Sequence, residues 1–121
     1  TLHYLRDIRP AVAEAARVLR PGGTFIVMNE PVHRDRRSAE RASNDFKERL
    51  AGSGGKGRMM QDHHHFVASD LETVLHASFR TVRRHDPKYG LGFRATRRLK
   101  SFALRMELAS FPIYVATDRL R

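Results

Sequence analysis

An amphipathic helix, a tight glycine turn and a wholly apolar run follow one another over residues 8–28, and this succession constrains the fold more than any other feature. Ile8, Val12, Ala15, Ala16 and Leu19 recur at helical spacing, with Arg9, Glu14 and Arg17 off the stripe. Asp7 is placed to cap this helix, and Pro10 falls in its first turn, where a missing N–H costs nothing. Arg20-Pro21-Gly22-Gly23 ends it, because Pro21 prevents continuation and Gly22 can take a positive φ. Thr24-Phe25-Ile26-Val27-Met28 then runs without alternation, which predicts a strand covered on both faces, as in a parallel sheet. Polarity returns at Asn29-Glu30-Pro31, and the proline stops the ladder. The unit is α/β.

Further along, Val32 to Ser38 carries four charges and is expected to cover the strand's exit. Ala39 to Leu50 reads as a helix with Ala39, Ala42, Phe46 and Leu50 on one side, and Gly52 to Gly57 as a loop. Ser69-Asp70-Leu71-Glu72 has the spacing of a capping box, with Ser69 and Glu72 satisfying each other's backbone donors, ahead of a short helix through Leu71, Val74, Leu75 and Ala77. Phe79 to Arg84 predicts a strand closed by Asp86-Pro87. Arg94 to Leu108 predicts a helix with Leu99, Phe102 and Met106 inward, and Phe111 to Thr117 a last strand, with Pro112 tolerable only near its start.

The 121 residues, 40% hydrophobic and 30% charged, fit one small domain with a core of its own. The absence of cysteine removes disulfides, zinc–thiolate sites and cysteine nucleophiles, and suits a reducing, cytoplasmic setting. No apolar run approaches the roughly 18 residues of a membrane span, so no membrane partner is expected. The chain opens on Leu2-His3-Tyr4-Leu5, an element already under way, so it is expected to be a fragment. A formal charge of +10 points toward a polyanion. The basic residues are nevertheless scattered, densest at Arg34/Arg36/Arg37, Arg83/Arg84 and Arg94/Arg97/Arg98/Lys100, and read as solvated faces.

Gly52 to Gly57 spells G-x-G-x-x-G, but a helix precedes it where a phosphate cradle needs a strand. In an extended His63-His64-His65, His63 and His65 share a side, so two ligands at most converge; hydrogen-bonded or pocket-lining histidines are favoured and no metal is expected. His33, His76 and His85 are expected at the surface. Glu30 sits where a strand ends, the place at which open α/β sheets bind ligands; the competing reading is a salt bridge with Arg34 or Arg36.

Leu2-His3-Tyr4-Leu5, the helix, Arg17-Val18-Leu19-Arg20-Pro21-Gly22-Gly23 and Phe25-Ile26-Val27 together resemble the second half of the class I S-adenosylmethionine-dependent methyltransferase domain. That family shows an "lHhL" segment after its fourth strand and a helix ending "RvLkPGG" before its fifth. His65-Phe66, Leu71, Val74-Leu75 and Ala77 to Val82 resemble its next helix and strand, with Ser78 where glycine is usual. The resemblance implies an incomplete Rossmann-like sheet: the C-terminal portion, strands five, seven and six in the order 5-7-6, with the seventh antiparallel and helices flanking. The family's glycine-rich loop and ribose-binding acid have no counterpart here.

The resemblance further implies one partial domain over residues 1–121 that uses S-adenosylmethionine to methylate a small-molecule acceptor. Leu2, His3 and Tyr4 match the segment near the cofactor, and His3 and Glu30 are the candidate catalytic residues. Glu30, His33, His63 and His65 would bind the acceptor, and residues 32–62 and 89–110 are insertions that would form a lid. The chain alone is expected to be inactive, with Phe25 to Met28 as an unpaired apolar edge. Two alternatives stand beside this: a basic non-catalytic α/β module binding nucleic acid or an acidic partner, and a degenerate methyltransferase-like partner subunit.

Overall fold

The computed structural model describes residues 2–54, 57 and 61–120. A 3-10 turn, Leu2–Tyr4, leads to helix α1, Arg9–Val18. Ile8 holds the N-cap position with no side-chain bond, and Asp7 serves the helix from one residue earlier, its Oδ1 accepting Arg9 N–H at 3.0 Å. Ile8, Val12 and Ala16 are buried along the predicted stripe. The chain then reverses through a β-turn closed by Gly23 N–H to Arg20 O at 2.9 Å, with Pro21 second and Gly22 third at φ +76°. A Cβ on Gly23 would lie 2.9 Å from Arg20 O and 3.1 Å from Leu19 Cδ2, so glycine is needed for the close reversal.

Strands β1 (Phe25–Val27), β4 (Phe79–His85) and β5 (Ile113–Arg119) form one sheet in the order β1-β5-β4. β5 lies in the middle, antiparallel to both neighbours, with Phe25 opposite Ala116, Val27 opposite Tyr114 and Ala116 opposite Val82. Within this chain β1 is an edge strand with an antiparallel neighbour, the unpaired apolar edge expected for Phe25 to Met28, and its second face is not covered: Ile26 and Met28 are 52% and 51% exposed. The core gathers on the other face: Val12 and Ala16 of α1 meet Val27, Tyr114, Ala116 and Phe79, and the Phe25 and Phe79 rings stack at 5.7 Å. Among the described residues nothing covers the Ile26 face.

A second, two-stranded sheet joins β2 (Val32–His33) to β3 (Phe66–Val67) in parallel, Val32 opposite Phe66. The charged exit expected over 32–38 is therefore paired strand at its start. Helix α2, Arg36–Gly52, begins three residues before Ala39 because Asp35 caps it, its side chain accepting Ser38 N–H at 2.8 Å. It runs through Gly52, shortening the expected loop; Gly55, Lys56 and Arg58 to Met60 lie outside the described residues.

Helix α3, Ala68–His76, follows β3 without a loop, so Val67 takes the N-cap and the capping box does not form. Ser69 lies inside the first turn, and Glu72 instead accepts the Tyr114 hydroxyl at 3.2 Å. Leu71 and Leu75 are wholly buried.

Helix α4, Leu91–Leu104, is displaced toward the N-terminus from the expected 94–108, ending where Arg105 turns left-handed at φ +49°. Leu99 and Phe102, expected inward, face out at 71% and 83% exposure. The helix is tied down on its other side by polar bonds: Arg97 donates to the carbonyls of Leu108 and Ala109 at 3.1 and 2.6 Å, and Ser101 Oγ to Met106 O at 2.6 Å. Pro112 is buried just ahead of β5, the position tolerated for it.

Candidate functional site

Past β1 the chain turns at Asn29, whose left-handed backbone (φ +60°) carries Glu30 inward to 3% exposure. There its carboxylate meets the 3-10 turn. Oε1 accepts Leu2 N–H at 2.8 Å; Oε2 accepts His3 N–H at 3.0 Å and lies 2.5 Å from His3 Nδ1. An ionised carboxylate only accepts, so Nδ1 of His3 is the donor in this contact. Burial pushes the Glu30 carboxyl up, but the hydrogen bonds it accepts, those from the His3 ring and the Leu2 and His3 amides among them, together outweigh it and hold it below the ordinary glutamate range. The salt bridge considered with Arg34 or Arg36 does not form; Arg36 pairs with Asp70 at 2.8 Å.

From this pair a row of rings extends inward. His3 packs on Tyr4 with centroids 4.2 Å apart and meets His63 edge-on at 5.0 Å. His63, 5% exposed, stacks on Phe46 of α2 at 3.8 Å and meets His65 at 5.5 Å. His65 Nδ1 lies 2.9 Å from His33 Nε2. The backbone fixes the row: His64 N–H donates to His3 O at 2.9 Å, and His65 N–H to Ser43 Oγ at 2.8 Å. His64 turns away, its Nδ1 donating to Asp62 O at 2.9 Å, so the expected alternation across 63–65 holds.

His33 is corrected from a surface residue to a buried one, 1% exposed, because β2 pairs with β3 and carries it beneath the surface. His76 and His85 are exposed, as expected. Burial, with the neighbouring His3, His64 and Lys47 charges adding to it, pushes His63 down to about 4. Burial does the same to His65, down to about 4, with His33 and His63 next in effect. It also lowers His33, against the opposing pull of Glu107 and Asp35. These rings are therefore neutral near pH 7. Nδ1 of His33 and Nδ1 of His63 are buried without a hydrogen-bond partner among the described residues.

A cavity of about 580 Å³ opens beside the row, lined by His33, His65, Phe46, Leu104, Met106 and Leu108 among others. A larger one, about 790 Å³, lies between α1, α2 and α3 and is also reached by His65. No group of three or more histidine, aspartate or glutamate side chains among the described residues is arranged to hold a metal ion. Ser43 and Phe46 escaped the sequence reading as site residues. Ser43 gives no signal in the sequence, whereas Phe46 falls on the apolar side of its helix with Ala39, Ala42 and Leu50, the side that meets His63.

The described residues do not by themselves fit a nucleoside methyl donor. Glu30, an acid at a strand end, is taken up by Leu2 and His3, and the amides of Leu2 and His3 are spent on it in return. Comparison with known proteins nevertheless bears on this end of the chain. Residues 1–27, which span the 3-10 turn, α1, the glycine turn and β1, match the family described as a methyltransferase domain. No curated protein and no solved structure matches the chain. Over its N-terminal edge, residues 1–27, the chain is similar to a methyltransferase domain.

Proposed function

We propose that this chain forms the acceptor side of a class I methyltransferase domain that transfers a methyl group from S-adenosylmethionine to a small molecule. The observation that carries the reading is the tie between Glu30, where β1 ends, and Leu2 and His3, within the segment matched to the family. The strand order β1-β5-β4, with the middle strand antiparallel to both neighbours, supports assigning β1, β5 and β4 as the family's strands five, seven and six. On this reading residues outside the present sequence supply most of the donor's binding site, and Leu2, His3 and Tyr4 form one wall of it.

When bound, the donor supplies an electrophilic methyl group. The chain's own residues orient the acceptor and handle its proton. Glu30 fixes Nδ1 of His3 as the donating nitrogen, which makes Nε2 the basic one, suited to taking a proton from an acceptor hydroxyl or amine. The neutral His33 and His65 offer hydrogen bonds within the 580 Å³ cavity, and Phe46, Leu104, Met106 and Leu108 exclude water from it. That lining draws on both 32–62 and 89–110, which supports their assignment as the acceptor lid.

The test uses the full natural polypeptide that carries this sequence, methyl-labelled S-adenosylmethionine, and a panel of small hydroxylated and amine acceptors. Label in a small-molecule product, reduced on the order of a hundredfold or more by Glu30→Gln, is expected. Label transferred only to nucleic acid or protein, or to nothing, would overturn the reading.

A further inference from the structure

Helix α4 is an apolar surface whose side chains stand in solvent. Leu91, Leu99 and Phe102 are 82%, 71% and 83% exposed, and no residue of the helix is buried. At 3.6 residues per turn Leu91, Ala95, Leu99 and Phe102 form one stripe, and Arg94 and Arg98 run along its flank. The helix contains four basic residues, Arg94, Arg97, Arg98 and Lys100, and no acidic one. Its opposite side is held to the body through Arg97 and Ser101, so the stripe is presented outward on a fixed element.

We propose that α4 is a docking surface for an anionic lipid membrane, lying in the plane of the interface with Leu91, Leu99 and Phe102 among the acyl chains and Arg94 and Arg98 on the headgroup phosphates. Charge decides among the possible occupants. A second copy of the helix would bring like charges together with no acid to offset them. A nucleic acid would use the arginines but leaves two exposed leucines without a role. A membrane with anionic headgroups uses both halves of the pattern. No helix among the described residues is long and apolar enough to cross a membrane, so α4 lies on the bilayer and does not span it. This inference is independent of the methyl-transfer reading.

The chain has no tryptophan, so Phe102→Trp installs a single reporter. Full-length chain is mixed with vesicles of phosphatidylcholine alone or with about one-third phosphatidylserine. Co-sedimentation with the anionic vesicles only, weakened by salt and accompanied by a blue shift of the tryptophan emission, is expected. Leu99→Ser with Phe102→Ser should lower partitioning on the order of tenfold or more. Circular dichroism should be unchanged, because both side chains are exposed. Failure to sediment with either vesicle, or sedimentation indifferent to the double substitution, overturns the proposal. So does a blue shift in vesicle-free solution with a dimer by light scattering, or tighter binding to generic RNA than to anionic vesicles.

Discussion

Oε2 of Glu30 and Nδ1 of His3 lie 2.5 Å apart across 27 residues of sequence, joining the end of an edge strand to the turn that opens the chain. The same carboxylate takes the backbone N–H groups of Leu2 and His3. One buried acid thus sets the position of residues 2–4, and with them the first ring of the histidine row.

Glu30→Gln keeps the shape but loses the charge-assisted bonds, and should cost about 2 kcal/mol in urea unfolding; Glu30→Ala, which strands two amides, should cost more. Because the folded carboxyl is held below its ordinary range, its contribution is present above the unfolded value and is lost as pH falls through the folded one. The acid-side decline in stability should therefore be shallower in Glu30→Gln. Equal midpoints for wild type and Glu30→Gln at neutral pH would contradict the assignment.

His63 and His65 titrate near 4 in the fold and near 6.5 when unfolded, so between those values the unfolded chain binds more protons and stability rises with pH. Their contribution is complete above about 6.5 and should be lost, on the order of a few kcal/mol for the pair, as pH falls toward 4. Urea midpoints at pH 7.5 and pH 5 measure this. His63→Phe, which can retain the stack on Phe46, should flatten the dependence.

Leu71 and Leu99 look alike in the sequence, each an apolar residue on a helical stripe. Leu71 is wholly buried and Leu99 is 71% exposed. Leu71→Ala should cost about 2–5 kcal/mol and Leu99→Ala no more than about 0.5 kcal/mol. Similar losses for the two would mean that α4 packs inward after all.

Gly23→Ala should destabilise by about 1–2 kcal/mol, since its Cβ would meet Arg20 O at 2.9 Å, and Gly22→Ala by about 1 kcal/mol, since its φ is +76°. Gly52→Ala, at the end of α2 with nothing within 4 Å, should be neutral or stabilising. Thermal melts of the three variants check the order.

Where local chemistry and tertiary packing agree, the residues announce the structure. Pro21-Gly22-Gly23 can do little but reverse the chain, and the runs that became β1, β4 and β5 are apolar or β-branched enough to be seen. β2 and β3 are two residues each, and no periodicity can show in so short a pair; their pairing nonetheless buries His33. The Ser69/Glu72 spacing satisfies a capping box, but β3 feeds α3 directly and leaves no room for one. Leu99 and Phe102 were expected inward because apolar stripes usually are, and here the polar bonds of Arg97 and Ser101 hold the opposite side down. Glu30 was recognisable by its place at a strand end. Its tie to His3 depends on the turn at Asn29, which the residues around it do not reveal.

The most direct test of the account is ultraviolet cross-linking of methyl-labelled S-adenosylmethionine to the full polypeptide that carries this sequence, followed by tryptic mapping. The account predicts label on the peptide that contains Leu2, His3 and Tyr4 and ends at Arg6, competed by unlabelled donor and diminished in Glu30→Gln. Competable label confined to other peptides, with none on that one, would contradict it.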